Sequence, residues 1–126
     1  MMQMERQKMG QELNELMEKV KKFCEDRDWD QYHNPKDLAI GLSTESNELL
    51  DLFRFKTDSQ LKEMLLDMNK REQISEELAD ILFFLLRFGQ MYGFDLKHSL
   101  EDKIEKNNRK YPIDKSKGKN DKYTEI

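Results

Sequence analysis

One cysteine, two prolines and one tryptophan are all that 126 residues supply of those three types. The lone Cys24 excludes an intramolecular disulfide and a cysteine-cluster metal site. Its place on an apolar helical stripe reads as a buried structural thiol. No apolar run approaches the ~20 residues of a membrane-spanning helix, so no membrane partner is expected. The opening MMQMERQKMGQEL has no apolar stretch of the signal-peptide kind, and a cytoplasmic protein is the expectation. A basic excess is missing as well. Lys and Arg number 22 against 26 Asp and Glu, interspersed, for a net charge of −4. That balance argues against a nucleic-acid polymer as partner. It leaves a nucleotide open, because a metal can neutralise phosphates locally. No internal repeat and no strand signal stands out.

What is present is charge and helical period. Hydrophobic residues (37%) are matched by charged ones (38%). Helices that each need one apolar stripe suit that composition, as does a polar tail. Met9, Leu13, Leu16, Val20 and Phe23 recur at steps of four and three, predicting a first helix over about residues 3–28. Asn34 as N-cap and Pro35 at the first helical position start a second, to about Phe53. The stretch from Lys56 to Ser59 reads as a turn or cap, followed by a short amphipathic helix from Gln60 to Met68. A long helix from about Lys70 to Tyr92 is apolar almost all round between Leu78 and Leu86. Such a helix belongs at the centre of a bundle or in a subunit interface. Gly93 ends it, Asp95 caps a last helix over roughly 96–110, and Pro112 stops that one. The expected fold is all-α, four-helix-bundle-like with one extra short helix. One domain is expected over 1–112, with a flexible polar tail over 113–126.

The informative residues are acids on apolar stripes. The second helix's stripe runs 38, 42, 45, 49, 52, and position 45 is Glu45 rather than an apolar residue. Glu48 follows three residues on, on the same face. On the third long helix Ile74, Leu78, Ile81 and Leu85 mark the inward side, and Glu77 and Asp80 lie beside it. Burying one unpaired carboxylate costs several kcal/mol. Four together repel one another unless a cation joins them. All-oxygen ligands favour Mg²⁺, with Mn²⁺ as a substitute, over zinc. A di-iron carboxylate bundle would pair glutamate with histidine at this spacing, and none is there. Taken singly, either acidic pair is commoner as a solvated helix face; it is their joint placement on two inward stripes that points to metal.

Three segments resemble the all-α nucleotide pyrophosphohydrolases of the MazG-like superfamily, dCTP pyrophosphatase branch. They are RDWDQYHNPKDLAIGLSTESNELLDLFRFK at 27–56, SEELADILFFLL at 75–86 and DKIEKNNRKYP at 102–112; the closing KYTEI at 122–126 is similar too. The resemblance covers roughly Phe23 to the C-terminus. It implies hydrolysis between the α- and β-phosphates of a nucleoside triphosphate, giving monophosphate and pyrophosphate. A role in cleansing the nucleotide pool of dCTP or a modified pyrimidine triphosphate follows. Glu45, Glu48, Glu77 and Asp80 match the family's metal ligands. Trp29 matches a residue lining the base pocket, with His33 in the same segment, and Phe55 stands where the branch often has a second tryptophan. Lys103, Asn107, Arg109, Lys110 and Tyr111 match phosphate- and sugar-side residues.

Two departures are evident. A histidine near the base in one branch member is Val20 here, and a tyrosine of the third long helix is Phe84, so the base and sugar pocket is expected to differ. Family members are oligomeric, which implies a homodimer or homotetramer.

Other readings of the same residues stay open. On spacing alone Trp29 is a packing residue, Lys103 a solvated lysine, His33 a hydrogen-bonding partner within its turn and His98 a surface residue. A non-catalytic helical interaction module, or a regulatory module that binds nucleotide without turnover, would use the apolar helix as a partner surface and the acids as a charged seam.

Overall fold

The computed structural model describes residues 2–120 and Thr124, without the side chains of Arg6, Gln7 and Met9. The Met9 side chain of the expected stripe, and KYTEI apart from Thr124, are therefore outside what the structure describes. The fold is all-α: among the described residues there is no strand. The chain forms two compact units, 1–93 and 94–126.

The first unit begins with α1 (Met2–Asp26), followed by a 3-10 turn (Asp30–Tyr32). Three further helices complete it: α2 (Pro35–Phe53), α3 (Asp58–Leu66) and α4 (Met68–Tyr92). The boundaries follow from local chemistry. Asn34 accepts a hydrogen bond from the Asp37 backbone N–H, and Pro35 opens α2 where its missing N–H costs nothing. Thr57 and Gln60 form a reciprocal capping box at the start of α3. Asp67 caps α4, and Gly93, at φ 71°, ends it in the left-handed conformation that favours glycine.

Helix α4 is the hub of this unit and packs against α1, α2 and α3. The deepest side chains are Arg87, Leu38 and Cys24. Cys24 is therefore the buried thiol its stripe implies, and burial pushes its pKa up. On α2 the stripe from Leu38 through Leu42, Glu45, Leu49 and Leu52 is the buried or half-buried one, as expected. On α4 the sequence misplaces part of the inward side. Ile74 and Ile81 are half-buried, but Leu78 and Leu85 are 51% and 42% exposed. The inward line instead runs through Ile74, Glu77, Ile81, Phe84 and Phe88. A helix that is apolar nearly all round has no unique stripe to read.

The second unit holds α5 (Leu96–Lys110) and the single turn α6 (Ile113–Ser116). Asp95 caps α5 by accepting the His98 backbone N–H. The turn of α6 lies within the segment read from sequence as a polar tail.

Candidate metal centre

Glu45 and Glu48 come from α2 and Glu77 from α4, and the α2–α4 packing brings their carboxylates together. One oxygen of each lies within 4.8 Å of the others. Glu45 and Glu77 are half-buried, and Glu48 is exposed. One oxygen on each of the half-buried pair, Glu45 Oε2 and Glu77 Oε2, is sealed from solvent without a hydrogen-bond partner. Asp80, one turn along α4, is exposed and outside the 4.8 Å group. Its charge nonetheless acts on both Glu45 and Glu77.

The electrostatics are those of crowded acids. A hydrogen bond shared with Glu48, then desolvation, then the charges of Glu48, Asp80 and Glu77 push the Glu45 carboxyl up to about 7. Desolvation, then a hydrogen bond with Glu48, raises Glu77 as well. Orphaned buried oxygens and mutual repulsion are both relieved by a divalent cation, and an all-oxygen donor set fits a hard one. The acids can hold a metal.

This crowding has a consequence for stability. Glu45's value in the folded chain, about 7, lies above its ordinary 4.5. The folded metal-free chain thus binds that proton more tightly than the unfolded chain does. The stabilisation is present below the ordinary value and is lost as pH rises through about 7. In EDTA we expect Tm to fall between pH 5 and pH 8, and to fall less in Glu45→Gln. Mg²⁺ added at pH 8 should raise Tm if the cluster holds it, since a ligand taken up by the folded arrangement alone stabilises that arrangement. An identical pH trend in Glu45→Gln, or no response to Mg²⁺, would count against the site.

The other residues singled out from sequence fall into four places. Trp29 and His33 stand together between α1 and α2, their ring centroids 6.3 Å apart, and Trp29 packs edge-on against Phe23 at 5.5 Å. Phe84 lies against α2 at Gly41, where a Cβ would come within 2.5 Å of the ring, so only glycine admits it there. Phe55 follows α2 at φ 63°, an outlier for a bulky residue, and is 89% exposed with the Arg54 guanidinium 4.7 Å from its ring. In the second unit, Lys103 and Asn107 lie one turn apart on α5, with Arg109 and Lys110 in its last turn and Tyr111 as its C-cap. Asn107 is half-buried, and its carbonyl accepts the Tyr111 N–H at 2.8 Å.

Sequence reasoning missed Arg87. It is 1% exposed, and its guanidinium donates to Asp30 Oδ1, His33 Nδ1 and Gln90 Oε1. The signal was there: a single cation inside the run ILFFLLRFG, the most apolar stretch of the chain, has to be paired.

An all-helical unit that gathers Glu45, Glu48 and Glu77 from two packed helices presents a carboxylate cluster that could hold a metal ion. The MazG-like family model matches residues 40–126, and the chain belongs to the MazG-like family. It is 35% identical over 104 residues to dCTP pyrophosphatase 1 of Bos taurus and 34% to that of Homo sapiens. Each match covers 82% of this chain, but only 62% and 61% of those relatives' own length. A solved structure of a pyrophosphatase from Archaeoglobus fulgidus superposes with a TM-score of 0.74 at 33% identity. That match covers 80% of this chain and 93% of the other.

Proposed function

We propose that this chain hydrolyses nucleoside triphosphates to monophosphate and pyrophosphate, with Mg²⁺ held by Glu45, Glu48, Glu77 and Asp80. The observation that carries the reading is the pair of solvent-sealed, unpartnered oxygens on Glu45 and Glu77, set among further acids. Relatives that act as dCTP pyrophosphatases, a third identical, point the same way.

When bound, Mg²⁺ offsets the carboxylate charge that would repel a triphosphate and polarises the α-phosphorus. The water oxygen attacks that phosphorus, and the bond to the oxygen bridging the α- and β-phosphates breaks. Pyrophosphate leaves with the electron pair. A carboxylate oxygen of Glu45 or Glu48 accepts the proton of the water. Lys103 and Arg109 are assigned to the departing pyrophosphate, and Asn107, Lys110 and Tyr111 to the sugar and phosphates. The family motif carries that assignment.

Trp29, Phe55 and Phe84 are the aromatic candidates for the base. An exposed phenylalanine held in the left-handed conformation, as Phe55 is, suits a binding role better than a packing one. Stacking on aromatic rings is worth ~1–3 kcal/mol per base and scarcely distinguishes bases. Selection therefore falls to hydrogen bonds at the base edge, where a missing partner costs ~1–3 kcal/mol. Following the dCTP branch, we expect a preference for pyrimidine deoxynucleotides, dCTP or a 5-substituted relative first, and nucleotide-pool cleansing as the role.

The test is a pyrophosphate-release screen with Mg²⁺ over dCTP, 5-methyl-dCTP, dUTP, dTTP, dATP and dGTP. One such edge contact predicts a kcat/KM for the best pyrimidine about tenfold or more above dATP. Equal efficiency on dATP or dGTP would remove the pyrimidine preference and leave the hydrolase. No pyrophosphate from any triphosphate would remove the hydrolase in favour of a non-catalytic module.

A further inference from the structure

Arg87 sits on the helix that carries Glu77 and Asp80, yet it serves a different part of the first unit. It projects from α4 to the 3-10 turn and the residue after it. Nε donates to His33 Nδ1 at 3.0 Å, Nη2 to Asp30 and Nη1 to Gln90 at 2.6 Å. A guanidinium has only donors and keeps its charge. The imidazole nitrogen that faces it must offer a lone pair. With Nδ1 so committed, the single proton of a neutral imidazole lies on Nε2.

We infer that Arg87 is a positioning residue that fixes His33 as a neutral imidazole with its proton on Nε2, making it a hydrogen-bond donor beside Trp29. The functional half of this inference rests on the proposed nucleotide site. A donor at that position suits a ligand acceptor, and both a pyrimidine edge and a phosphate oxygen supply one.

Three further observations support the geometry. Burial, and then the Arg87 charge, lower the His33 pKa from its ordinary value, which favours the neutral ring. Asp30 and Asp37 act in the opposite direction and are the lesser causes. Trp29 ties the same segment to α1 on its other side, its backbone N–H donating to the Cys24 carbonyl at 3.0 Å. The guanidinium reaches partners 54 and 57 residues away in sequence, so the W-D-Q-Y-H segment is anchored to α4 rather than held by its own turn alone.

The chain has two histidines, so the tautomer can be read directly. Long-range ¹H–¹⁵N correlation on the ¹⁵N-histidine-labelled full chain at neutral pH, without nucleotide, should show His33 with Nε2 protonated and Nδ1 bare. His98→Gln assigns the signals. A proton on Nδ1, or on both nitrogens, overturns the proposal. Because no substrate is present, that result stands whether or not the hydrolase reading holds.

Arg87→Lys keeps the charge but cannot donate to all three partners in the same fork. In that variant we expect the His33 signals to move toward tautomer exchange. We also expect KM for the best triphosphate to rise about tenfold, with a smaller change in kcat. A variant with lowered Tm but an unchanged His33 signature and unchanged KM would make Arg87 structural only, and would overturn the proposal. If the lysine variant does not fold, the wild-type spectrum decides alone. Running the KM comparison with dCTP, dATP and inorganic triphosphate separates the acceptors. A rise on all three places the donor at phosphate, and a rise confined to dCTP places it at the base.

Discussion

Glu48→Gln and Asp80→Asn should each abolish measurable turnover while leaving the helical circular dichroism spectrum unchanged. Both substitutions keep side-chain shape and remove one negative charge. Disturbing only the hydrogen-bond partner of a metal ligand typically costs about 10–100-fold, so loss of a ligand's charge is expected to exceed that. The physical counterpart is a change in the metal-free protein in the other direction. Glu48 is the first cause of the raised Glu45 value, through both a hydrogen bond and its charge. With Glu48 neutral, Glu45 is relieved of that repulsion, and the EDTA-treated variant should melt at a higher temperature than wild type at pH 8. Lower activity together with higher metal-free stability marks a site whose acids are arranged for a ligand rather than for the fold. Pyrophosphate release by either variant at near wild-type rates would end the metal assignment. Lower metal-free stability in Glu48→Gln would show that the acids are structural partners instead.

The legible parts of this molecule are those written by local rules. Pro35 after Asn34, Gly93, Asp95 and Pro112 act on the backbone within a residue or two, and the helices start and stop where they say. The acid stripe on α2 was legible because its neighbours are unambiguous: one glutamate among leucines at helical period has only one face to occupy. The inward side of α4 was not, because Leu78, Leu82 and Leu85 satisfy the same pattern as the residues that turn inward. Arg87 was illegible as a role, though not as an anomaly. Its partners lie more than fifty residues away and are fixed only by packing. The left-handed Phe55 was hidden for a different reason: no pattern in the sequence marks a non-glycine residue that the end of α2 holds at positive φ.

The same leucines that blurred the reading of α4 carry the second large prediction: the chain should be a homodimer or homotetramer, and Leu82→Asp with Leu85→Asp should dissociate it. Leu78, Leu82 and Leu85 form a stripe at steps of four and three on the outer side of the hub helix, and Leu82 and Leu85 are 43% and 42% exposed. On α1, Leu16 and Phe23, two turns apart, are also about two-fifths exposed (43% and 40%). Large apolar side chains left bare along two packed helices are costly in water and are commonly covered by a partner. A second copy of this chain presents the same stripe, and an isologous contact would place each leucine near its equivalent. Two aspartates there enter the interface twice. Burying an unpaired carboxylate costs several kcal/mol, and each 1.4 kcal/mol is a tenfold change, so the dissociation constant should rise by about 10³ or more. The substitutions leave the inward line of α4 untouched, so each freed chain should keep its helical signal. Light scattering on wild type should give at least twice the 15.2 kDa of one chain, and the double variant should give the single-chain mass. A wild-type monomer with full activity at working concentration would refute the assembly. An unchanged oligomer in the double variant would move the interface to another face.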